Sequence, residues 1–439
     1  MNAVRRFVTI EQRTRAVLSC VAIFILTLTI LLIGIALPAK PYFDEVHYVP
    51  AAREILKGDF ATNTEHPPLA KQLIAASIAV FGDNPFGWRL MSAVFGAFAA
   101  VGIYLWALAL FEDEGAAWWS TGVTLANQVL YVQSRIAMLD IFMAAFLLWA
   151  LAAFSATWLP SMRARTKSLL TATGVLLGLA GACKWVGVLA WLGIAGTVAA
   201  VKILQRLKTK FGKPADTDWY RPDLWQDVTL GGWSWYLVVL PFAAYYLCFL
   251  PFGLSALLPN HFVPAQIAMW QLNSMVGGTH PYMSSWTDWP TIARPIWYYF
   301  DALKWDTGEA SARAVVFLGN PLVLWSGVVA IAACLYGALE HRRKDAFLIS
   351  VAYCVLYFSW AIIPRKLEFA FYYLPAALAL GPALAYLFYR TPLNRWPWAR
   401  RAFLAASILL FVYFLPVSSA AVTASQPQFN QLMWFANWR

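Results

Sequence analysis

Two adjacent carboxylates, Asp44 and Glu45, follow the first long apolar stretch of the chain and lie between Phe43 and Tyr48. A carboxylate at the edge of a bilayer is partly desolvated, which raises its pKa and makes it a better proton acceptor near neutral pH. A solvated loop would also tolerate such a pair. We interpret Asp44 as a candidate general base and Glu45 as its candidate catalytic partner.

A second polar group contains Glu65, His66 and, one turn further on, Lys71. Pro67 and Pro68 favour the start of a helix, so Glu65 and His66 would lie near the positive end of its dipole. Two adjacent candidate ligands are weak support for a metal ion, and we predict no metal site. We assign Glu65, His66 and Lys71 to the support of this loop. A capped interfacial helix would also explain the pattern.

Four cations stand at the ends of apolar stretches: Arg135, Lys184, Arg365 and Lys366. Their side chains could reach lipid headgroups by snorkelling, or they could converge on a phosphate. Asp140 begins another apolar stretch, where an isolated carboxylate is costly unless it is paired or functional. We count Asp140 and the four cations as candidate residues for binding the phosphate or sugar of a donor. An ion pair between Asp140 and a nearby Arg or Lys is the alternative.

The elements that must position these residues are membrane helices. Hydrophobic residues make up 61% of the chain and charged residues 13%, against about 45–50% and about 25% in soluble domains. The net charge of +11 does not indicate a nucleic-acid partner, because the basic residues cluster in loops between apolar stretches. Anionic lipid headgroups and phosphates are the partners expected of such loops.

The sequence predicts an all-α polytopic membrane protein with about eleven spans, since a bilayer core requires about 20 apolar residues per helix. The predicted spans are about 15–38, 89–110, 115–131, 138–159, 168–183, 185–204, 229–252, 314–338, 346–363, 367–389 and 402–422.

The loops on one side of these spans are rich in Lys and Arg, which places that side and the N-terminus in the cytoplasm. The two longest polar segments, 39–87 and 253–313, then lie on the other face, together with Asp44 and the four cations. Within the first segment, Tyr48–Leu56 and Leu69–Phe81 are too short to span and predict interfacial helices.

The order of several motifs resembles the protein O-mannosyltransferase family, a branch of the C-type glycosyltransferases that use polyprenyl-phosphate sugars. The motifs are Phe43-Asp44-Glu45-Val46-His47-Tyr48, Glu65-His66-Pro67-Pro68-Leu69-Ala70-Lys71, Trp88-Arg89-Leu90, Ser134-Arg135-Ile136 with Leu139-Asp140, Cys183-Lys184-Trp185-Val186-Gly187, His280-Pro281-Tyr282 with Ser284-Ser285-Trp286, Trp289-Pro290, Arg294-Pro295, and Leu318-Gly319-Asn320-Pro321.

This resemblance implies an inverting transfer of mannose from a polyprenyl-phosphate donor to Ser or Thr hydroxyls of proteins, some of them exported. The resemblance further implies that Asp44 is the base, that Glu45 positions donor or acceptor, and that Arg89 is a site arginine. We count Arg89 among the candidate donor-binding residues and assign His280 to the support of its loop. No further cofactor is implied.

The second large loop has no room for the β-trefoil domain of eukaryotic members, so the chain resembles a compact bacterial member in the cell membrane. We divide it into an N-terminal catalytic module (1–252), an aromatic non-cytoplasmic loop (253–313) and a C-terminal module of four helices (314–439). Oligomeric state is left open.

Three alternatives stay open at this point. The chain also resembles enzymes that move aminoarabinose from a polyprenyl carrier to lipid A. A lipid-linked sugar transporter would show inverted repeats and polar residues at mid-span, and the sequence shows neither. A non-catalytic lipid-binding scaffold would not explain the pair of carboxylates.

Overall fold

The fold is a bundle of apolar helices with a small antiparallel sheet on one end. The computed structural model describes residues 10–59, 62–210, 219–221, 223–275, 277–304, 310–363, 365–423 and 426–439. Arg5, Arg6 and Lys213, which contributed to the predicted orientation, lie outside these residues.

The helices of the N-terminal half are α1 (Ile10–Leu32), α2 (Glu45–Leu56), α3 (Leu69–Phe81), α4 (Pro85–Phe111), α5 (Glu114–Leu125), α6 (Gln128–Gln133), α7 (Asp140–Ala156), α8 (Thr166–Cys183) and α9 (Gly187–Lys210). Those of the C-terminal half are α10 (Leu230–Ser234), α11 (Leu240–Leu247), α12 (Pro259–Met275), α13 (Pro321–Leu339), α14 (Lys344–Phe358), α15 (Leu374–Ala377), α16 (Leu380–Arg390), α17 (Pro397–Ser418) and α18 (Gln426–Leu432). A π-helical turn, Trp235–Val239, joins α10 to α11.

Seven stretches in the described residues are long and apolar enough to cross a membrane, and a bent pair, Ala370–Ala377 with Leu380–Arg390, would make an eighth. These eight coincide with eight of the predicted spans. The other three predicted spans fall on shorter helices: α5 with α6, the 17-residue α7 and the 15-residue α14. The count of eleven therefore stays a prediction, and the polytopic helical fold is confirmed.

Helix α7 forms the centre of the bundle. Its sequence is apolar on every side, and a helix of that kind is buried all round; accordingly, residues from Asp140 to Ser155 are buried on most of its faces. Helix α8 approaches α11 closely because Gly178 has no side chain: a Cβ there would lie 2.2 Å from the carbonyl oxygen of Pro241. This packing fixes Asp140 and the residue after α8, Lys184, at one end of the core.

The first polar segment contains the two short helices that the sequence predicted, α2 and α3. Gly82 ends α3 with a φ of +87°, a conformation that favours glycine. Asn84 then starts α4, because its side chain accepts hydrogen bonds from the backbone of Phe86 and Gly87 at 3.1 Å each. This tight turn folds α4 back against α3.

The second polar segment contains α12 and a hairpin that the all-α prediction missed. Strands β1 (Ile296–Lys304) and β2 (Ala310–Phe317) pair in antiparallel fashion, and β3 (Val422–Thr423) adds to β2, giving the order β1-β2-β3. The start predicted for the eighth span, near 314, was wrong for this reason: β2 runs to Phe317, and α13 begins at Pro321.

Candidate active site

Asp44 occupies the N-cap position of α2, directly after Phe43, whose φ of +49° lies in the sparsely populated left-handed region. Its backbone oxygen accepts hydrogen bonds from the amides of His47 and Tyr48 at 3.0 and 3.1 Å. Its side chain is half-buried and has no hydrogen-bond or ion-pair partner among the described residues. The carboxylate is therefore free to accept a proton from a bound molecule.

Burial raises the pKa of the Asp44 carboxyl to about 6. Lys184 opposes this rise, Asp140 adds to it, and His47 and Arg365 oppose it again. These groups are the electrostatic neighbours of Asp44, so the structure brings four of the predicted site residues together. A carboxyl with this pKa is ionised at neutral pH and is a stronger base than a solvated aspartate.

Asp140 and Lys184 form a buried ion pair beside Asp44. The Lys184 Nζ donates to Asp140 Oδ1 at 2.8 Å and to Oδ2 at 3.0 Å, and both side chains are nearly inaccessible. Asp140 is the first residue of α7 and Lys184 directly follows α8, so the pair joins the ends of two packed helices. The structure thus shows the pairing of Asp140 with a cation, which was the alternative to its predicted role in donor binding.

Aromatic rings hold the two cations nearest to Asp44. The Lys184 Nζ lies 5.1 Å from the ring centres of both Phe371 and Tyr372, and the Arg365 guanidinium lies 5.0 Å from that of Tyr372. Arg365 is half-buried, and its Nε donates to the carbonyl of Leu367 at 3.1 Å. Its terminal nitrogens have no hydrogen-bond or ion-pair partner within the described ranges. Arg365 can therefore contact an anion.

Glu45 is fully buried and faces away from this site. Its two oxygens accept from Arg89 Nε and Nη2 at 2.7 and 2.8 Å, and also from the amides of Ala137 and Tyr42 at 2.9 and 3.3 Å. A carboxylate with four donors has no capacity left for an acceptor hydroxyl. The geometry contradicts a direct catalytic contact by Glu45 and gives it a positioning role.

Arg89 is equally buried, and its remaining donors bind the loop that precedes Asp44. Nη1 donates to the carbonyls of Ile35 and Pro38 at 3.1 and 2.8 Å, and Nη2 donates to that of Lys40 at 3.1 Å. Every N–H group of the side chain is thus engaged within the protein. The prediction that Arg89 binds the donor does not fit this arrangement, since Arg89 anchors the loop instead.

Arg135 also differs from its predicted role in phosphate binding. Its Nη1 donates to the carbonyls of Leu31 and Ile33, at 2.5 and 2.6 Å, where α1 ends. Helix ends leave such carbonyls without partners, and a cation there is favourable. Arg135 is buried and is not among the electrostatic neighbours of Asp44. It caps α1 rather than facing the site.

The loop before α3 is held from within by Lys71. The Lys71 Nζ donates to the carbonyls of Asn63 and His66, and burial lowers its pKa to about 8. The Glu65 carboxylate accepts from the Asn63 amide at 2.6 Å, and the Glu65 carbonyl accepts from Asn273 of α12. The support that we predicted for Glu65 and Lys71 agrees with these contacts, which also join the two polar segments.

His66 lies between that loop and the cations of the site. Its ring centre is 6.2 Å from that of Tyr48. Burial and the positive charges of Lys184, Lys71 and Arg365 hold the pKa of His66 well below its usual range. The imidazole is therefore neutral near pH 7 and offers one donor and one acceptor.

His280 and Lys366 lie further from the carboxylates. The His280 Nδ1 accepts from the backbone amide of Tyr282 at 3.1 Å, and its ring meets Phe369 edge-on at 5.2 Å. Lys366 is exposed, and Arg365 rather than Lys366 is among the charges that shift the pKa of Asp44. The structure thus brings Arg365, but not Lys366, to the site.

The sequence analysis did not predict an aromatic wall that borders the site. Phe43 stacks on Tyr298 of β1 with ring centres 4.1 Å apart, and it meets Phe371 edge-on at 5.8 Å. The Tyr298 hydroxyl in turn accepts from Gln133 at 2.9 Å. The run of aromatics from Phe369 to Tyr373, soon after Arg365, was the available signal. This run lies within the predicted span 367–389, where aromatic residues are common and do not by themselves indicate a site.

Among the described residues there is no cluster of three or more His, Cys, Asp or Glu side chains that could hold an ion.

The bundle and the polar site at one end of it define an integral membrane enzyme with a candidate base and candidate phosphate-binding cations. The chain belongs to the dolichyl-phosphate-mannose-protein mannosyltransferase family, whose model matches residues 21–252. The model of the C-terminal four-transmembrane region of protein O-mannosyltransferases matches residues 258–438. The family named from the motifs is thereby confirmed.

Curated bacterial relatives resemble the chain over most of its length. A polyprenol-phosphate-mannose–protein mannosyltransferase of Corynebacterium glutamicum is 27% identical, over 91% of this chain and 88% of the relative. An enzyme of the same name from Mycobacterium tuberculosis is 26% identical, over 91% and 87%.

Solved structures show the same fold. The Saccharomyces cerevisiae protein O-mannosyltransferase Pmt1-Pmt2 complex bound to its sugar donor matches with a TM-score of 0.76 at 16% identity, over 100% of this chain and 94% of that chain. ArnT from Cupriavidus metallidurans bound to undecaprenyl phosphate matches with a TM-score of 0.56 at 18% identity, over 91% and 70%. The predicted C-type glycosyltransferase fold is confirmed.

Proposed function

We propose that this chain transfers mannose from a polyprenyl-phosphate-mannose donor to Ser or Thr hydroxyls of proteins. The family and the names of the bacterial relatives support this activity. The observation that carries it is the Asp44 carboxylate, which has no partner among the described residues and has the cations Lys184 and Arg365 as electrostatic neighbours. Such a site combines a base with groups that stabilise a leaving anion.

The chemistry is a single displacement. The Asp44 carboxylate accepts the proton of the acceptor hydroxyl as its oxygen attacks the anomeric carbon. The bond between that carbon and the phosphate oxygen breaks, and the polyprenyl phosphate leaves with the electron pair. Because one displacement occurs, the configuration at the anomeric carbon inverts.

Negative charge builds up on the departing phosphate, and in this proposal Arg365 binds it. Fixed positive groups in a site with little water stabilise such charge strongly. Lys184 adds positive charge near the phosphate, but its Nζ donates its hydrogen bonds to Asp140. The neutral His66 can hydrogen-bond a sugar hydroxyl or a phosphate oxygen.

The positioning groups act through the loop that carries Asp44. Glu45 and Arg89 fix residues 35–45 to the start of α4, and Lys71 fixes the loop before α3. The donor's prenyl tail would lie in the bilayer beside the apolar helices. In this proposal the N-terminus is cytoplasmic and the site lies on the non-cytoplasmic face of a bacterial inner membrane, as the basic loops indicate.

The test is transfer of radiolabel from polyprenyl-phosphate-[³H]mannose to a Thr-containing peptide by the purified protein. The wild type should label the peptide, with label released by β-elimination, and Asp44→Asn should not. Labelling of lipid A in place of the peptide, with an aminoarabinose donor, would support the other branch. Unchanged transfer by Asp44→Asn would exclude Asp44 as the base.

A further inference from the structure

The hairpin beside the site has one open edge. In the order β1-β2-β3 the central strand is β2, so β1 is an edge strand. The backbone carbonyl of Ala314 on β2 accepts from the amide of Ala420, which lies on the β3 side. Because backbone groups alternate in direction along a strand, Ala312 also points towards β3, and Arg313 points towards β1.

This alternation fixes which groups of β1 face outward. Phe300 pairs with Ala314 and Ala302 pairs with Ala312. The backbone groups of Ala314 and Ala312 point towards β3 and away from β1. Each of these two pairs therefore lacks hydrogen bonds between its own two residues. The N–H and C=O groups of Phe300 and Ala302 therefore point away from the sheet, whereas those of Asp301 bind β2.

The outward groups of Phe300 and Ala302 have no hydrogen-bond partner within the described part of the chain. Phe300 is 45% exposed, and Ala302 is exposed as well. Unpaired strand edges recruit extended chains unless they are covered, and here the described residues leave the edge accessible.

The edge continues directly from the candidate active site. Tyr298, two residues before Phe300, stacks on Phe43, which precedes Asp44. Tyr299 contacts Tyr42 edge-on at 6.0 Å. Two residues of a strand span about 7 Å, so the open edge starts within a few residues of the base.

The open edge of β1 is also held in place, as an edge that pairs with another strand must be. On the other face of the hairpin, Trp297 Nε1 donates to the carbonyl of Trp438 at 2.9 Å, and Trp438 Nε1 donates to that of Ile292 at 2.8 Å. Phe300 packs against Phe429 with ring centres 5.7 Å apart. The segment that contains α18 thus fixes the strand from behind.

We propose that the acceptor polypeptide binds in an extended conformation as a strand added to the open edge of β1, through the backbone groups of Phe300 and Ala302. The inference rests on the proposed function, in which the acceptor is a protein. Recognition through backbone groups reads an extended shape rather than a particular sequence. The modified hydroxyl would then lie on residues that extend past this paired segment towards Asp44.

The test uses two acceptors and three forms of the full-length protein. One acceptor is an extended peptide of about eight residues with a single Thr, and the other is N-acetyl-threonine N-methylamide, which is too short to pair with the edge. Ala302→Pro removes an outward N–H and leaves the bonds to β2 intact, as proline is tolerated at such positions. Ala302→Val retains the N–H and serves as the matched control.

Loss of one hydrogen bond should raise KM for the peptide about fivefold in Ala302→Pro. The kcat, the melting temperature and transfer to the short acceptor should not change, and Ala302→Val should match the wild type. N-methylation of the peptide backbone should raise KM at alternate residues, with a period of two.

Other outcomes overturn the inference. Equal KM values in Ala302→Pro and Ala302→Val, or no period in the N-methylated series, would mean that the acceptor does not pair with β1. If Ala302→Pro changed the oligomeric state of the protein, the occupant would be a second copy of the chain. Failure of the wild type to label either acceptor would instead overturn the proposed function.

Discussion

Exchange of the two adjacent carboxylates for amides of the same shape should affect different properties of the enzyme. Asp44→Asn removes a charge that has no partner among the described residues. Glu45→Gln removes a charge that accepts four hydrogen bonds, two of them from Arg89. The first variant should lose activity and keep its stability, whereas the second should lose stability.

The size of the Asp44 effect follows from its pKa, which burial raises from 3.8 to about 6. The folded-state pKa exceeds the unfolded value, so the protonated form is favoured by folding, and this stabilisation is lost as the pH rises through 6. At pH 7 the ionised carboxylate costs at most about 3 kcal/mol, at about 1.4 kcal/mol per pKa unit. An amide carries no such cost, so Asp44→Asn should be at least as stable as the wild type.

The Glu45 effect has the opposite sign. Glutamine would turn an NH₂ group towards the N–H donors of Arg89 or Tyr42, and it would leave the fully buried Arg89 charge without a partner. Removal of one member of a buried pair typically destabilises a protein by about 3–5 kcal/mol. The melting temperature of Glu45→Gln should therefore fall by several degrees, and its activity should fall with the folded fraction.

The assay measures thermal unfolding of the purified variants in detergent at pH 7 and transfer to the peptide in the same preparation. Loss of a general base typically lowers the rate about 10²–10⁴-fold, and we expect this in Asp44→Asn. Glu54→Gln is the matched control on α2, because Glu54 pairs at the surface with Lys57 at 3.0 Å. A fully stable Glu45→Gln with a lower kcat would refute its positioning role, and an unstable Asp44→Asn would refute the argument from burial.

Three further predictions concern the same site. The kcat/KM of transfer should fall about tenfold per pH unit below about 6, because the base must be deprotonated, and a flat profile between pH 7 and 5 would contradict this assignment of Asp44. Arg365→Met should raise KM for the donor about 10–100-fold at an unchanged melting temperature, with partial recovery in Arg365→Lys; an unaltered KM would remove Arg365 from the phosphate site. Lys184→Met should lower stability by about 3–5 kcal/mol, because Asp140 is left buried and unpaired; adding Asp140→Asn should restore the melting temperature but not transfer, and no recovery would argue against the pair.

The membrane character, the two short helices of the first polar segment and several residues that surround Asp44 could be predicted from local sequence. Apolar length predicts a span by itself, and charges at span ends indicate sites. The number of spans was harder to predict where one apolar run contains two short helices. Residues 115–131 form such a run, yet α5 ends at Leu125 and α6 begins at Gln128.

The hairpin was missed because its pattern is irregular. A register shift between Trp297 and Tyr299 breaks the alternation of side chains that would reveal β1. The many aromatic residues of this segment are also typical of a membrane interface, so they gave no separate indication of a strand. Pairing with β3 depends on residues more than a hundred positions away, which no local pattern can reveal.

The roles of Glu45 and Arg89 depend on long-range contacts in the same way. The first helical residue is Glu45, so the two carboxylates leave the backbone in different directions, and the partner of Glu45 lies 44 residues further on. A charged pair without solvent contact is poor evidence for stability in itself, because desolvation offsets much of the attraction. Its value here is geometric: it fixes Tyr42 and the backbone on both sides of Phe43, whose left-handed conformation the surroundings must maintain. One carboxylate is therefore fully satisfied so that its neighbour can remain unpaired, half-buried and basic at the position where a hydroxyl must lose its proton.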